Sequence, residues 1–195
     1  WNGVAIISRV GLDNVVQNFA PGIEPDGEAR IITATCGGIQ VSSVYVPNGR
    51  SLDHDHYQYK LSWLSRLRAH LDASCKQTDD VVVGGDFNIA PEDRDVYDPV
   101  AWAGQIHCTD EERAHFRALL GLGLHDAFRL FEKYQLHPQI WITVPSPAGT
   151  LPRDQQIKEA SAKLLPIVER TRKLGCQLGL YNHGGWGGEP ENLVA

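Results

Sequence analysis

The sequence of 195 residues lacks a long hydrophobic run, a paired-cysteine motif and an excess of basic side chains. No apolar stretch approaches the roughly 20 residues that a bilayer-spanning helix needs, so no membrane association through such a helix is expected. The four cysteines are far apart and form no CxxC pair, which argues against a zinc site and favours a reducing cytoplasm. No signal peptide is visible before the apolar stretch that follows Trp1, and we expect the natural N-terminus to lie upstream.

Basic side chains are in the minority, with 18 Lys and Arg against 24 Asp and Glu and a net charge of -6. This balance excludes a broad basic surface of the kind that coats nucleic acid. A substrate that carries phosphate would need a local basic patch or bound cations to offset the repulsion. Hydrophobic residues make up 42% of the chain and charged residues 22%, which is typical of a globular protein rather than a disordered one.

The first two thirds of the chain predict alternating strands and helices. Short apolar runs predict buried strands at residues 3–8 and 81–83, and two β-prone runs at 29–35 and 39–46 predict a hairpin. The intervening residues 11–28 are rich in Gly, Pro, Asp and Asn, which predicts a loop.

Two helices are predicted with definite boundaries. Apolar residues at helical spacing from Tyr57 to Leu71 predict an amphipathic helix over residues 56–74. Thr109 and Glu112 have the spacing of a capping box, which predicts that a helix begins there.

The last third of the chain predicts a strand, a long helix and a second strand. Residues 139–144 and 177–181 are the strands, and a helix with apolar residues from Ile157 to Leu174 lies between them and ends at Gly175. This order is that of a βαβ unit.

One polar constellation follows directly on an apolar strand, in the segment Gly84-Gly85-Asp86-Phe87-Asn88. The glycines allow a backbone or a ligand to approach closely. If the strand continues, alternation puts Asp86 and Asn88 on the same side of the chain. A carboxylate beside an amide suits hydrated Mg²⁺ and a phosphate oxygen. The alternative is an ordinary turn, since Gly, Asp and Asn all favour turns.

Several segments in the same order resemble the exonuclease III family of the endonuclease/exonuclease/phosphatase superfamily, in its apurinic/apyrimidinic endonuclease branch. The resemblance covers residues 1–132. The segments that carry it are residues 1–9, Glu28-Ala29-Arg30, Val44-Tyr45-Val46-Pro47-Asn48-Gly49, residues 59–64, Gly84-Gly85-Asp86-Phe87-Asn88-Ile89-Ala90-Pro91, residues 95–99 and Leu124-His125-Asp126-Ala127-Phe128-Arg129.

The resemblance implies metal-dependent hydrolysis of a DNA phosphodiester at an abasic site or a 3′ end, with Mg²⁺ or Mn²⁺ as the cofactor. It implies that Asp86 orients or deprotonates the attacking water, and that Asn88 bonds the scissile phosphate or assists the metal. Tyr45 would offer its phenol to the phosphate, although a half-buried strand aromatic is the simpler interpretation of that residue.

Basic residues within the same segments are candidates for DNA contacts. Arg9, Arg30 and Lys60 could meet DNA phosphates, and structural ion pairing is an equally good interpretation of each of them.

Some residues of the family pattern are not found in this sequence. The family carries an Asn and a metal-binding Glu ahead of the strand that begins near Trp1, and later an Asp and a final Asp-His pair. None of these is found, and the order of His125-Asp126 is reversed. Because such groups act as a unit, the sequence predicts that catalysis by this chain is impaired.

Residues 134–195 resemble a different family, the sugar phosphate isomerase/epimerase barrels of the xylose isomerase type. A βαβ unit leads there into a glycine-rich segment with His183 and Glu189. In such barrels the active site lies at the carboxyl ends of the strands, so the resemblance implies a sugar or metal site at these two residues. A glycine-rich loop with a lone histidine is the simpler interpretation, because about 60 residues cannot close a barrel.

The expected architecture is α/β, an incomplete four-layer α/β sandwich over residues 1–133 with an appended βαβ unit over residues 134–195. The expected function is that of an exonuclease III-like DNA repair nuclease with a DNA substrate and no obligate protein partner. Two alternatives stay open at this point: an inactive chimeric remnant that binds phosphate or metal weakly, and a fragment of a sugar isomerase.

Overall fold

A computed structural model describes residues 3–96, 98–143, 147, 149–181 and 186–193. Backbone contacts divide the chain into two compact units, Trp1–Leu124 and His125–Ala195.

The first unit is built on a four-stranded sheet in the order β1-β2-β3-β4. The strands are β1 (Asp13–Gln17), β2 (Ile31–Cys36), β3 (Ile39–Tyr45) and β4 (Val81–Asp86). The first two pairings are antiparallel, whereas β4 lies parallel to β3 and is reached through the helix α1 (Asp55–Ser74). The parallel pairing matters for function, because it brings the carboxyl ends of β3 and β4 together.

The predicted hairpin is confirmed, and its turn has a clear local cause. Gly37 and Gly38 connect β2 to β3 with φ values of +58° and +89°. Two successive positive φ angles are the requirement of a type I′ turn, which glycine meets without steric cost.

The core of the first unit lies between α1 and one face of the sheet. The predicted helical spacing of apolar residues is confirmed, since Trp63, Leu64 and Leu67 are at most 1% exposed. They pack with Ile31 and Val44 of the sheet. This burial supplies the main stabilising term for the unit, at roughly 25 cal/mol for each Å² of apolar surface removed from water.

A 3₁₀ turn and three helices follow β4, and the last of these helices begins the second unit. A 3₁₀ turn spans Asp93–Asp95, and the helices are α2 (Pro99–Trp102), α3 (Asp110–Leu120) and α4 (Ala127–Tyr134). The predicted capping box of α3 is confirmed: Thr109 Oγ1 accepts from the Glu112 amide at 3.1 Å, and Glu112 Oε2 accepts from the Thr109 amide at 3.1 Å.

Two predictions for the first 28 residues are wrong. Residues 3–8 form no strand, and Ile7 is 97% exposed, because an apolar run becomes a strand only when a neighbouring strand accepts its hydrogen bonds. The predicted loop at 11–28 contains β1 instead. All five residues of β1 are exposed, so the sequence shows no alternation of apolar and polar residues that would identify this edge strand.

The second unit contains the predicted βαβ elements. Strands β5 (Gln139–Thr143) and β6 (Gln177–Tyr181) pair in parallel, and the helix α5 (Arg153–Lys173) lies between them in the chain. A 3₁₀ turn at Trp186–Gly188 and the short helix α6 (Pro190–Leu193) follow. Within the described ranges, no helix of either unit combines the length and the hydropathy that crossing a bilayer requires.

Candidate active site at the ends of two parallel strands

Tyr45 and Asp86 are the last residues of β3 and β4, and they are direct partners in the parallel register. Partner residues of neighbouring strands project from the same face of a sheet. Val44 is buried beneath α1, so Tyr45 and Asp86 leave the sheet on the opposite face. Tyr45 is half-buried and Asp86 is exposed, which leaves the carboxylate open to a ligand.

The close approach of β3 and β4 depends on a glycine just before Asp86. Gly85 has a φ of +140°, and a Cβ at this position would lie 1.9 Å from the carbonyl oxygen of Val44. No side chain fits into this space. The sequence argument for a close backbone approach at the glycine pair is therefore confirmed at Gly85.

Asn88 reaches Asp86 through a turn, so the strand does not continue past Asp86 as the alternation argument required. Strand β4 ends at Asp86, and Asn88 adopts a left-handed φ of +50°. The Asn88 amide N–H then donates to Asp86 Oδ1 at 2.9 Å, and Asn88 Nδ2 donates to the Val46 carbonyl at 2.9 Å. Asparagine tolerates left-handed backbone better than most residues, which explains why a turn replaces the strand.

Two residues that the sequence analysis did not assign to the site complete the group. Asn48 Nδ2 lies 3.3 Å from Asn88 Oδ1 and 3.5 Å from His107 Nε2. His107 Nδ1 lies 2.7 Å from the Asn88 carbonyl oxygen, and burial lowers the pKa of His107. Asn48 lies within one of the family segments, but nothing in the local pattern around His107 points to the site.

Lys60 lies beneath the site and is completely buried, with its ammonium 2.5 Å from Glu112 Oε1. It also donates to the Asn88 carbonyl at 2.6 Å. Burial is the largest influence on the pKa of Lys60 and lowers it, whereas Glu112 raises it. A side chain without exposed surface cannot meet a DNA phosphate, so its interpretation as a DNA contact is corrected to that of a structural ion pair.

Arg30 supports Tyr45 from one side. Its guanidinium lies 4.9 Å from the centre of the Tyr45 ring, and Nη1 donates to the Tyr45 carbonyl at 3.2 Å. Nε is paired with Glu28 at 2.6 Å, and the Arg30 side chain is 10% exposed. Of the two roles open for Arg30, the structure shows ion pairing. Arg9, the third candidate DNA contact, is exposed.

The two candidate residues for an isomerase-like site lie in the second unit. His183 falls outside the described residues. Glu189 is exposed and follows the 3₁₀ turn, where its amide lies 3.4 Å from the Trp186 carbonyl. An isomerase-like site therefore stays a prediction.

Asp86 is the residue of this group that suits a divalent cation. Among the residues that the structure describes, no three His, Cys, Asp or Glu side chains are grouped as a metal cage. Mg²⁺ does not require one, because it commonly binds through one or two carboxylates, with waters and substrate phosphate as its other ligands. The exposed Asp86 carboxylate fits this mode.

The first part of the chain is similar to known proteins. Residues 1–154 match the model of the endonuclease/exonuclease/phosphatase family. An exodeoxyribonuclease of Bacillus subtilis is 29% identical, over 66% of this chain and 50% of its own length. Exodeoxyribonuclease III of Haemophilus influenzae is 28% identical, over 65% of this chain and 51% of its own length.

Solved structures show the same likeness. The 3′-5′ exonuclease NExo of Neisseria meningitidis is 39% identical with a TM-score of 0.59, over 63% of this chain and 48% of that one. An AP endonuclease of Archaeoglobus fulgidus is 32% identical with a TM-score of 0.59, over 68% and 51%. The predicted α/β fold class and the resemblance for the first part of the chain are confirmed. The chain spans about half the length of these relatives.

Proposed function

The chain belongs to the endonuclease/exonuclease/phosphatase family, and from that premise we propose that it takes part in DNA repair as a nuclease. The reaction is hydrolysis of a DNA phosphodiester beside an abasic site or at a 3′ end. The observation that carries this proposal is the convergence of Tyr45, Asp86 and Asn88 at the carboxyl ends of two parallel strands. Relatives described as exodeoxyribonucleases and AP endonucleases support the choice of substrate.

Asp86 is the proposed base that orients and deprotonates the attacking water. One of its oxygens, Oδ1, accepts the Asn88 amide N–H, which fixes the plane of the carboxylate. The other oxygen, Oδ2, is then the acceptor for a proton of water. Because Asp86 is exposed, water and substrate have access to it without a conformational change.

Tyr45, Asn48 and Asn88 are the proposed partners of the phosphate. A phenol and two amides supply neutral hydrogen-bond donors at positions fixed by the surrounding contacts. Charge builds up on the phosphate oxygens during hydrolysis, and fixed donors stabilise that charge better than mobile water does.

A divalent cation, Mg²⁺ or Mn²⁺, would bind through Asp86 and supply positive charge to the phosphate. The net charge of -6 makes such a cation useful, because the chain as a whole repels a nucleotide backbone. The additional assignment of Asn88 as a metal ligand remains part of the proposal. Its Oδ1 accepts one long bond from the part of the chain that the structure describes, from Asn48 at 3.3 Å, and so retains capacity for a cation or a phosphate contact.

Incubation of the full chain with abasic-site duplex DNA and Mg²⁺ tests the proposal. We expect strand cleavage that is lost in Asp86→Ala and retained in Asp72→Ala, which removes an exposed carboxylate of α1. A second substrate, a nicked duplex with a blocked 3′ end, separates cleavage at abasic sites from action at 3′ ends.

Two results would contradict the proposal. Cleavage that persists in Asp86→Ala would show that another site or a contaminant acts. The absence of cleavage at high protein concentration would favour the remnant, in which only weak phosphate or metal binding is left. The prediction of impaired activity is measured in the same assay as the rate per enzyme molecule.

A further inference from the structure

The carbonyl oxygen of Asn88 accepts hydrogen bonds from two side chains outside its own loop. Lys60 Nζ donates to it at 2.6 Å, and His107 Nδ1 lies 2.7 Å away. Lys60 comes from α1 and His107 from the turn before α3, so two separate parts of the first unit converge on one carbonyl. Two donors from different elements restrict where this carbonyl can lie.

The contacts of His107 determine its tautomer. A carbonyl oxygen only accepts hydrogen bonds, so the nitrogen 2.7 Å from it, Nδ1, carries the proton. Lys60 Nζ lies 3.3 Å from the same Nδ1, and the two are then donors that share the Asn88 carbonyl. In the neutral ring Nε2 is then an acceptor, and it faces Asn48 Nδ2 at 3.5 Å. The Arg50 amide donates to Asn48 Oδ1 at 3.0 Å, which independently turns the Asn48 amino group toward His107 and Asn88.

The backbone of His107 also contacts the loop that follows β4. The Ala90 amide donates to the His107 carbonyl at 2.8 Å, so side chain and backbone of one residue contact the loop on both sides of Ile89. His107 has a left-handed φ of +74°. For a non-glycine residue this conformation costs on the order of 1 kcal/mol, and it persists only where surrounding contacts hold it.

We propose that His107 is a positioning residue of the site. Its Nδ1–H holds the Asn88 carbonyl and so keeps Asn88 in the left-handed turn that brings the Asn88 amide to Asp86 Oδ1. Its Nε2 orients the Asn48 amide across the same site. The role in catalysis rests on the proposed nuclease function, whereas the structural effect on Asn88 does not.

Two matched substitutions separate the effect of losing the Nδ1–H donor from the effect of changing the backbone conformation. His107→Asn places an amide N–H where Nδ1 stands, and His107→Gly removes the donor. Both residues tolerate a positive φ, so neither adds the strain that leucine or alanine would bring. Thermal unfolding of both variants shows whether they are folded before any other comparison is made.

The first readout is the solvent exchange rate of the Asn88 amide, measured by NMR on the full chain without metal or DNA. We expect about fivefold faster exchange in His107→Gly, which corresponds to one lost hydrogen bond, and a nearly native rate in His107→Asn. Equal rates in both variants would overturn the proposal, because the donor would then make no difference to Asn88.

The second readout is the rate of cleavage of abasic DNA. We expect kcat to fall at least about tenfold in His107→Gly with little change in KM, and to recover in part in His107→Asn, which restores the donor to Asn88 but not the acceptor that faces Asn48. A loss of the same size in both variants would overturn the catalytic part. If the wild-type chain cleaves nothing, the nuclease proposal fails, and the exchange rates still decide whether His107 positions Asn88.

Discussion

The two units of the chain differ in how much apolar surface they bury. In the first unit, Trp63, Leu64 and Leu67 of α1 are at most 1% exposed against a four-stranded sheet. In the second unit, two strands are present within the described ranges, and none of the leucine, isoleucine, valine or aromatic side chains described there is buried.

This difference shows what a functional site requires from its scaffold. The candidate site lies where β3 and β4 end, on the unit whose sheet and helix share a closed core. In the second unit, Leu164, Val168, Leu178 and Leu180 line an open groove between α5 and β6. A site holds its geometry only on elements that are themselves fixed, and the first unit meets this condition better.

The largest effect is expected from removing the centre of the first core. Trp63→Ala deletes a side chain that is 0% exposed, and should destabilise the first unit by about 3–5 kcal/mol. Urea unfolding, monitored through hydrogen exchange of the amides in each unit, measures this loss of stability. We expect the exchange of α5 and β6 amides to stay unchanged, and a matching loss there would show that the two units unfold together.

A somewhat smaller effect is expected from breaking the buried ion pair of the first unit. Lys60→Met leaves Glu112 charged and without its cation, which should lower the free energy of unfolding by about 3 kcal/mol. This value is in the lower part of the usual range because Thr109 still donates to Glu112. The double variant Lys60→Met with Glu112→Gln should recover most of the loss, since no unpaired charge remains and glutamine keeps the capping box. A double variant as unstable as the single one would show that the pair itself is stabilising.

A pH effect is expected in the first unit from His70, which is 1% exposed and accepts the Ala20 amide N–H through Nδ1 at 2.9 Å. Burial lowers its pKa in the folded state below the usual 6.5. As the pH falls, the unfolded chain therefore binds a proton at this histidine before the folded chain does. The stabilisation is present above about pH 6.5 and is lost as the pH falls below that value.

His70→Asn is the matched variant for this effect, because Oδ1 can still accept the Ala20 amide and does not titrate. We expect the fall of the unfolding free energy between pH 6.5 and 5 to become less steep, by up to about 1.4 kcal/mol per pH unit. An unchanged slope would assign the acid sensitivity to other groups, such as His115, whose pKa burial also lowers.

The smallest effect is expected in the second unit. Leu164 is half-buried beside the open groove, so Leu164→Ala should cost about 1 kcal/mol or less. Differential hydrogen exchange of β6 measures it. A loss as large as that of Trp63→Ala would contradict the comparison, since it would indicate a closed core where the described contacts leave a groove.

The sequence predicted those features whose cause is local. The helix α1 follows from the spacing of its leucines, the hairpin from Gly37 and Gly38, and the beginning of α3 from Thr109 and Glu112. Each of these signals lies within one or two turns of chain, so no tertiary partner is needed to interpret it.

The features that the sequence did not predict depend on distant partners. Residues 3–8 have the composition of a strand but no strand to pair with among the described residues. The sequence identifies Glu112 as part of a helix cap, but it gives no sign of the bond to Lys60, which is 52 residues away in the chain. The pair Asp86 and Asn88 was found for its chemistry, but the turn that joins them depends on Lys60 and His107, which only the fold brings near.

The most direct test of the central claim is to map where DNA binds. A short duplex with a stable abasic analogue, added with Mg²⁺ to the ¹⁵N-labelled chain, should shift the amide resonances of residues 45–48 and 86–90. We expect these shifts to be the largest and to shrink in Asp86→Asn. Shifts confined to α5 and β6, or none at concentrations that saturate weak binding, would contradict it.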